Sequence, residues 1–237
     1  MLYSGYWFFF IRIPTFVGTF FVDFCNLKLN YYPFTLQFRY PFRITHGERT
    51  TTPVVYVELE ENGITGYGEA AMPPYLSEST ETVCVFLEKA RYALVETKHA
   101  LSLQGIESIM DYVNGLQQDN HAAKAAVDIA LHDLFGKTKN VSLKNIFHSE
   151  NLNPIYSTYT IGISSPQEMK QKISEAKDFH IFKIKLNGQN DKKIIETFLS
   201  LINNSTAQWN AKFCVDINQG WKDKFYAMDM IYWLADK

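Results

Sequence analysis

The chain has 237 residues, 46% hydrophobic and 20% charged, with a formal net charge of −2. That length gives one large domain or two modest ones with real cores, and the balance is that of a soluble globular protein. Near-neutral charge argues against nucleic acid or an anionic membrane and leaves small molecules as the partners. Three cysteines, Cys25, Cys84 and Cys214, are an odd count without metal-ligand spacing. They argue against a disulfide framework and fit a reducing, cytoplasmic compartment.

Residues 1–26 form an aromatic extension that ends in the run FFVDFCN. Arg12, Pro14 and Asp23 interrupt it, so no clean run of ~20 apolar residues exists for a transmembrane helix. The basic region of a signal peptide is missing before the apolar stretch. Three readings stay open: a start upstream of the natural one, which is preferred, a membrane-associating segment, and an extra strand packed on the domain. Three strands are then predicted. Leu27–Gln37 alternates apolar and polar residues, Val54–Glu60 is rich in β-branched residues, and Thr65–Gly68 follows the turn Glu61-Asn62-Gly63. Asn-Gly is a strong hairpin signal, so these make a small antiparallel sheet. Pro41–Pro53 is polar and contains Gly47, and is expected to be a loop.

Helices follow at Ser79–Ala100, Leu103–Leu116 and Asn120–Lys137. In the first, Val83, Phe86, Leu87 and Ala90 recur at helical spacing. In the third, Asn120 is the expected cap, and Ala122, Ala125, Ala126, Ile129, Ala130 and Leu134 the expected buried face. Its small residues predict close helix packing. His121 and His132 on this helix are expected to cap or pack.

From Asn153 the pattern alternates. Strands are predicted at Ile155–Ile163, Ile181–Leu186 and Lys212–Ile217, and helices at Pro166–Lys177, Asp191–Asn203 and Phe225–Leu234. Ser165 is the N-cap of the first helix, with Pro166 at its first position and Glu168 closing a capping box. Strand–helix repeats of this length mean βαβ units and a parallel sheet. Three units are fewer than the eight of a (β/α)₈ barrel, so the chain is expected to be cut short. The fold class is therefore α/β with α+β. Residues 27–152 form a capping domain of sheet and helices, and residues 153–237 the first three βα units of a TIM-type barrel.

Chemistry gathers at the ends of the last two strands. Lys183 and Lys185 flank Ile184 and share one face of their strand, the interior face in a barrel. Mutual repulsion and partial burial are expected to lower the pKa of both toward what a general base requires. A lone Lys-x-Lys is common and reads by itself as two solvated lysines. On the next strand Asp216 and Asn218 are expected to share a face, where a carboxylate suits a hard divalent cation; alone, the stretch reads as a strand-ending turn. Cys214, on the same strand, is expected to pack. Together, two inward lysines beside an inward aspartate set a base and a metal ligand on neighbouring strands.

KIKL at Lys183–Leu186 followed by VDINQGW at Val215–Trp221 resembles the muconate-lactonizing subgroup of the enolase superfamily, whose members pair a Lys or His base with Mg²⁺. GYGEAAMPPY (66–75), KAAVDIALHDLFGK (124–137) and YTIGISSPQEM (159–169) agree with it. PFRITHGERTTTP (41–53) is similar to the segment that closes over substrate in bacterial dipeptide epimerases. The resemblance covers 27–237. It implies Lys185 as catalytic base, Lys183 as its neighbour, Asp216 as a ligand of one Mg²⁺, and Thr160, Asn218, Phe42, His46 and Arg49 as substrate-binding residues.

By the same resemblance, the activity is epimerisation of dipeptides such as L-Ala-D/L-Glu, a step of peptidoglycan peptide metabolism. A proton moves off one face of the α-carbon and onto the other through an enediolate. The family's remaining metal carboxylates and its opposite-face lysine fall beyond Lys237, so this chain alone is expected to be inactive. Cycloisomerase, o-succinylbenzoate synthase and a non-catalytic remnant stay as alternatives, and a homo-oligomer stays open for the intact enzyme.

Overall fold

The computed structural model describes residues 27–45, 47–73, 76–96, 102–148, 153, 155–204 and 211–237. The extension 1–26 therefore lies outside the described residues, and so does His46.

The first sheet is antiparallel, in the order β1 (Lys28–Ile44), β2 (Gly47–Glu61), β3 (Ile64–Ala71). The turn between β2 and β3 is the Asn-Gly pair foreseen from the sequence. Asn62 and Gly63 both have positive φ, 52° and 77°, the geometry whose twist matches the flanking strands. Alternation along β2 sends Val55, Val57 and Leu59 into the core, each 0% exposed, with Tyr56 on the other face.

The segment expected to be a loop is strand instead. β1 runs on to Ile44 and β2 begins at Gly47, with Phe42 opposite Arg49 and Arg43 opposite Glu48. The polar composition misled, because an opposite-charge cross-strand pair and the β-branched run Thr50–Thr52 favour a ladder without an apolar core. The register slips between Gln37 and Phe42. Phe38, Arg39, Tyr40 and Pro41 thus stand opposite Thr50 alone, a wide bulge that re-aims the hairpin tip.

Helices α1 (Thr80–Glu96) and α3 (His121–Lys139) cover one face of this sheet, and α2 (Leu103–Gly115) packs against both helices. Val83, Phe86, Leu87 and Ala90 of α1 are all 0% exposed, as their spacing required. Two details of α3 differ from expectation. Ala125 and Ile129 face outward, and the buried stripe runs through Ala123, Ala126, Val127, Ala130, Leu131 and Leu134. Asn120 adopts a left-handed conformation and makes no side-chain cap. The Glu78 carboxylate takes that place, accepting from the Ala122 N–H at 3.1 Å, where its charge also suits the helix N-terminus. α3 lies close on β3. A Cβ on Gly68 would sit 1.9 Å from the Ala126 carbonyl oxygen, and one on Gly66 2.2 Å from that of Ala130. Glycine is required there by the approach of two backbones.

A short α4 (Leu143–Ile146) leads to the second sheet, parallel and in the order β4 (Thr158–Ile161), β5 (Ile181–Lys185), β6 (Lys212–Asp216). α5 (Pro166–Glu175), α6 (Asp191–Asn203) and α7 (Lys224–Ala235) follow its strands in turn. Ile161, Phe182, Ile184, Phe213 and Val215 point from the sheet into one apolar cluster with Ile195 and Phe198 of α6. The opposite face carries Thr160, Lys183, Lys185, Cys214 and Asp216. Cys214 is exposed there rather than packed, because residues of its parity leave the helix-covered side.

Candidate active site

Parallel pairing brings the polar face together. Thr160 stands beside Lys183, and Lys185 beside Asp216. Lys183 Nζ lies 2.9 Å and Lys185 Nζ 2.8 Å from the same oxygen, Asp216 Oδ2. The other carboxylate oxygen accepts from the Asn218 backbone N–H at 3.0 Å. Lys185 is buried, 8% exposed, with its ammonium 5.8 Å from the centre of the Phe42 ring.

These contacts correct the electrostatic expectation for Lys183. Its pKa is raised, first by the hydrogen bond to Asp216 and then by that carboxylate's charge. Two ammoniums alone would repel, but a carboxylate from the next strand sits between them. Burial pushes the Asp216 carboxyl up, and the hydrogen bonds from Lys185 and Lys183 outweigh it and hold it far below the carboxylate range.

Asn218 reaches the site by a different route from the one expected. β6 ends at Asp216, and Asn218 and Gln219 have positive φ of 42° and 62°. Gly220 N–H donates to Ile217 O at 2.7 Å, which closes a turn. Asn218 is thus placed by a turn and not by strand alternation. Its side-chain oxygen is buried without a hydrogen-bond partner.

The hairpin tip covers one side of this cluster. Thr45 Oγ1 donates to the carbonyls at the ends of both strands, Leu186 at 3.2 Å and Ile217 at 2.9 Å. Ile163 N–H donates to Arg43 O at 3.2 Å. The Arg49 guanidinium lies 5.9 Å from the ring centres of Phe38 and Phe42. The bulge residues 38–41, with Tyr159, Thr160, Gly162 and Lys172, line a cleft of about 340 Å³ beside Thr160.

Below the tip, the loops after β5 and β6 are tied together. Asp191, 1% exposed, accepts from the backbone N–H groups of Asn187 and Gly188 and from Trp221 Nε1 at 2.6 Å. A Cβ on Gly188, whose φ is +83°, would sit 2.8 Å from Gly220 O.

The structure therefore gathers Lys183, Lys185, Asp216, Asn218, Phe42, Arg49 and Thr160, while His46 lies outside the described residues. Sequence reasoning missed Arg43, Thr45 and Asp191 as placing residues. A charged pair within one hairpin and an aspartate at a helix start were the available signals, and both are common.

For Mg²⁺ the donors are of the right kind, a carboxylate and an amide oxygen, but few. Among the described residues no group of three or more His, Cys, Asp or Glu side chains could hold a metal ion. Asp216 would be one ligand of an ion whose remaining ligands the described residues do not supply.

A three-stranded cap sheet with helices, a parallel sheet in βα units, and inward lysines facing an aspartate define an enolase-type architecture. Residues 31–147 match the mandelate racemase / muconate lactonizing enzyme N-terminal domain family, and the chain is similar over most of its length to dipeptide epimerases of the enolase superfamily. It is 43% identical over 213 residues to the L-Ala-D/L-Glu epimerase of Bacteroides thetaiotaomicron, covering 90% of this chain and 52% of that protein. It is 31% identical over 181 residues to a chloromuconate cycloisomerase of Cupriavidus necator, covering 72% of this chain and 46% of that protein. The chain spans about half the length of the curated relatives it matches. Among solved structures, the dipeptide epimerase from Enterococcus faecalis, complexed with Mg and L-Leu-L-Tyr, superposes with a TM-score of 0.73 at 24% identity. That match covers 89% of this chain and 58% of the other, and shows a shared fold. No helix among the described residues is long and apolar enough to cross a membrane.

Proposed function

We propose that this chain carries the cap and the first half-site of a Mg²⁺-dependent dipeptide epimerase acting on peptides such as L-Ala-D/L-Glu. The observation that carries this reading is the Lys183–Lys185–Asp216 cluster at the ends of β5 and β6, roofed by the Phe42–Arg49 hairpin. In this reading residues 27–152 are the capping domain and 153–237 the opening βα units of the barrel. Lys185 takes the α-proton of the dipeptide's C-terminal residue from one face, and the product is the other epimer when a proton returns to the opposite face. Lys183, on the same face of β5, meets the substrate carboxylate with its charge. Arg49 and Phe42 hold the side chain and, with Thr160 and Asn218, shed water from the reacting carbon. Asp216 would be one ligand of a Mg²⁺, which when bound would supply Lewis-acid stabilisation of the charge on the substrate carboxylate. The free thiols Cys84 and Cys214 support a cytoplasmic setting.

With one metal carboxylate in the described cluster, residues 1–237 alone are not expected to turn over. The test is a chimera in which the barrel sequence of the Bacteroides relative follows Lys237. Proton NMR of L-Ala-L-Glu and L-Ala-D-Glu in D₂O with Mg²⁺ follows the α-hydrogen of each. The chimera should epimerise both. Lys185→Ala should abolish epimerisation in both directions and lose exchange for one epimer. Near wild-type epimerisation by Lys185→Ala removes Lys185 as the base. Turnover of chloromuconate without exchange of either dipeptide favours the second reading, a cycloisomerase, which the Cupriavidus similarity supports.

A further inference from the structure

Ser165 and Glu168 have the spacing of a capping box, and only half of that box is built. Ser165 Oγ accepts from the Glu168 backbone N–H at 3.2 Å. The Glu168 carboxylate turns the other way. One oxygen lies 2.8 Å from Lys172 Nζ, and the other accepts from Arg43 at 3.1 Å. A residue that abandons its local role does so for a contact elsewhere.

That contact joins two sheets. Arg43 lies near the tip of the β1–β2 hairpin, and Glu168 and Lys172 lie on α5. The Arg43 Nε–H also donates to Glu48 across the hairpin. The order Glu48–Arg43–Glu168–Lys172 alternates in charge and runs from water into the protein. Side-chain exposure falls from 49% at Glu48 to 34% at Arg43, 21% at Glu168 and 5% at Lys172. The Lys172 ammonium also lies 4.9 Å from the centre of the Tyr40 ring in the bulge. The inner end is thus fixed on a packed helix, and the outer end grips the hairpin. Burial favours a raised Glu168 pKa, yet the Lys172 ammonium beside one oxygen and the Arg43 hydrogen bond to the other leave it lowered. The second attachment, Arg39 and Tyr40 to Glu175 at the far end of α5, is exposed and holds less firmly.

We infer that Glu168 is a positioning residue: backed by Lys172, it clamps Arg43 and so holds the hairpin, with Phe42 and Arg49, over the Lys183–Lys185–Asp216 cluster. The clamp holds the hairpin down on the site, and opening it requires breaking a partly buried ion pair. Its consequence for dipeptide binding rests on the function proposed above; its existence does not.

The experiment is amide hydrogen exchange on the full 237-residue chain, comparing residues 42–45 and 47–52 with residues 55–70. Glu168→Gln removes the charge that grips Arg43, and should speed exchange at the hairpin about tenfold while 55–70 stay as in the wild type. Since Glu168→Gln leaves Lys172 unpaired in the interior, the double variant Glu168→Gln/Lys172→Met removes both buried charges together. It should show the same local acceleration. Glu175→Gln should leave the hairpin rates unchanged. Hairpin exchange within about twofold of wild type in the double variant overturns the proposal. So does acceleration spread equally over 55–70, which marks general loosening. Neither readout depends on epimerase turnover, so failure of the clamp and failure of the functional reading are told apart.

Discussion

Helix α3 and helix α7 have opposite fates, and composition does not explain the difference. α3 is rich in alanine and carries His121, Lys124, Asp128 and His132, yet nine of its residues are buried. α7 reads KFYAMDMIYWLA, is far more apolar, and buries Met230 alone. Phe225 is 76% exposed, Ile231 58% and Tyr232 67%. Alanine serves α3 because β3 offers glycines at Gly66 and Gly68, so two backbones meet and small side chains suffice. α7 has large side chains, and among the described residues nothing covers its outer face. Burial is granted by the partner surface, and a helix's own hydrophobicity only makes it available.

The largest expected effect tests the α3 side of that contrast. Gly68→Val would drive a branched side chain into the Ala126 carbonyl, which neither backbone can vacate cheaply. The urea midpoint should fall by the equivalent of about 3 kcal/mol or more at an unchanged slope. Gly115→Ala is the control, since a Cβ there meets nothing within 4 Å, and should be neutral or slightly stabilising. A mild Gly68→Val would mean that α3 is not held at backbone distance.

On the α7 side, Phe225→Ser with Ile231→Ser removes apolar surface that already faces water. Stability should change by no more than about 0.5 kcal/mol, while self-association, followed by sedimentation velocity, should decrease. A large loss of stability would show that this face is covered in solution.

The smallest expected effect is a pH dependence at the junction of the two sheets. Glu168 is held below the ordinary glutamate value of 4.5 by Lys172 and Arg43, against the opposing effect of burial. A depressed carboxyl contributes stability that is fully present above the unfolded-state pKa and is lost as pH falls through the lower folded value. Lys172 and Arg43 face this group, and Glu48 shares Arg43 with it. The hairpin tip should therefore loosen below pH 4.5 before the α3 core does. Exchange rates at residues 42–45 that stay constant down to the acid unfolding transition would remove Glu168 from that role.

Much of this was legible in the sequence because local rules and the fold agreed. The Asn62-Gly63 turn, the Val83–Ala90 helical face, the Ser165 cap, the bounds of α6 and the shared face of Lys183 and Lys185 follow from chemistry within a few residues. What stayed hidden depends on groups far apart in the chain. The hairpin over Pro41–Pro53 lacks apolar alternation, and it is built by pairing and by contacts to α5. Asn120 yielded its capping role to Glu78, which approaches from another segment. Lys183 gained a raised rather than a lowered pKa because Asp216 arrives on the neighbouring strand. Asn218 entered the site through a turn whose start at Ile217 cut the strand's alternation short.

The tie between Asp191 and Trp221 has a consequence for which substitutions these loops accept. Neither side chain belongs to the lysine–aspartate cluster, yet together they hold the loop after β5 against the loop after β6. An aspartate 1% exposed cannot lose the indole donor without leaving a buried charge short of a partner. The indole, in turn, has no other acceptor among the described contacts. The two side chains are therefore energetically coupled. A change at either loosens both loops, and Gly188 and Gly220, pressed against the opposite loop's backbone, leave little room for a larger residue. The spacing of the strand ends that carry Lys185 and Asp216 thus rests on four residues outside the lysine–aspartate cluster.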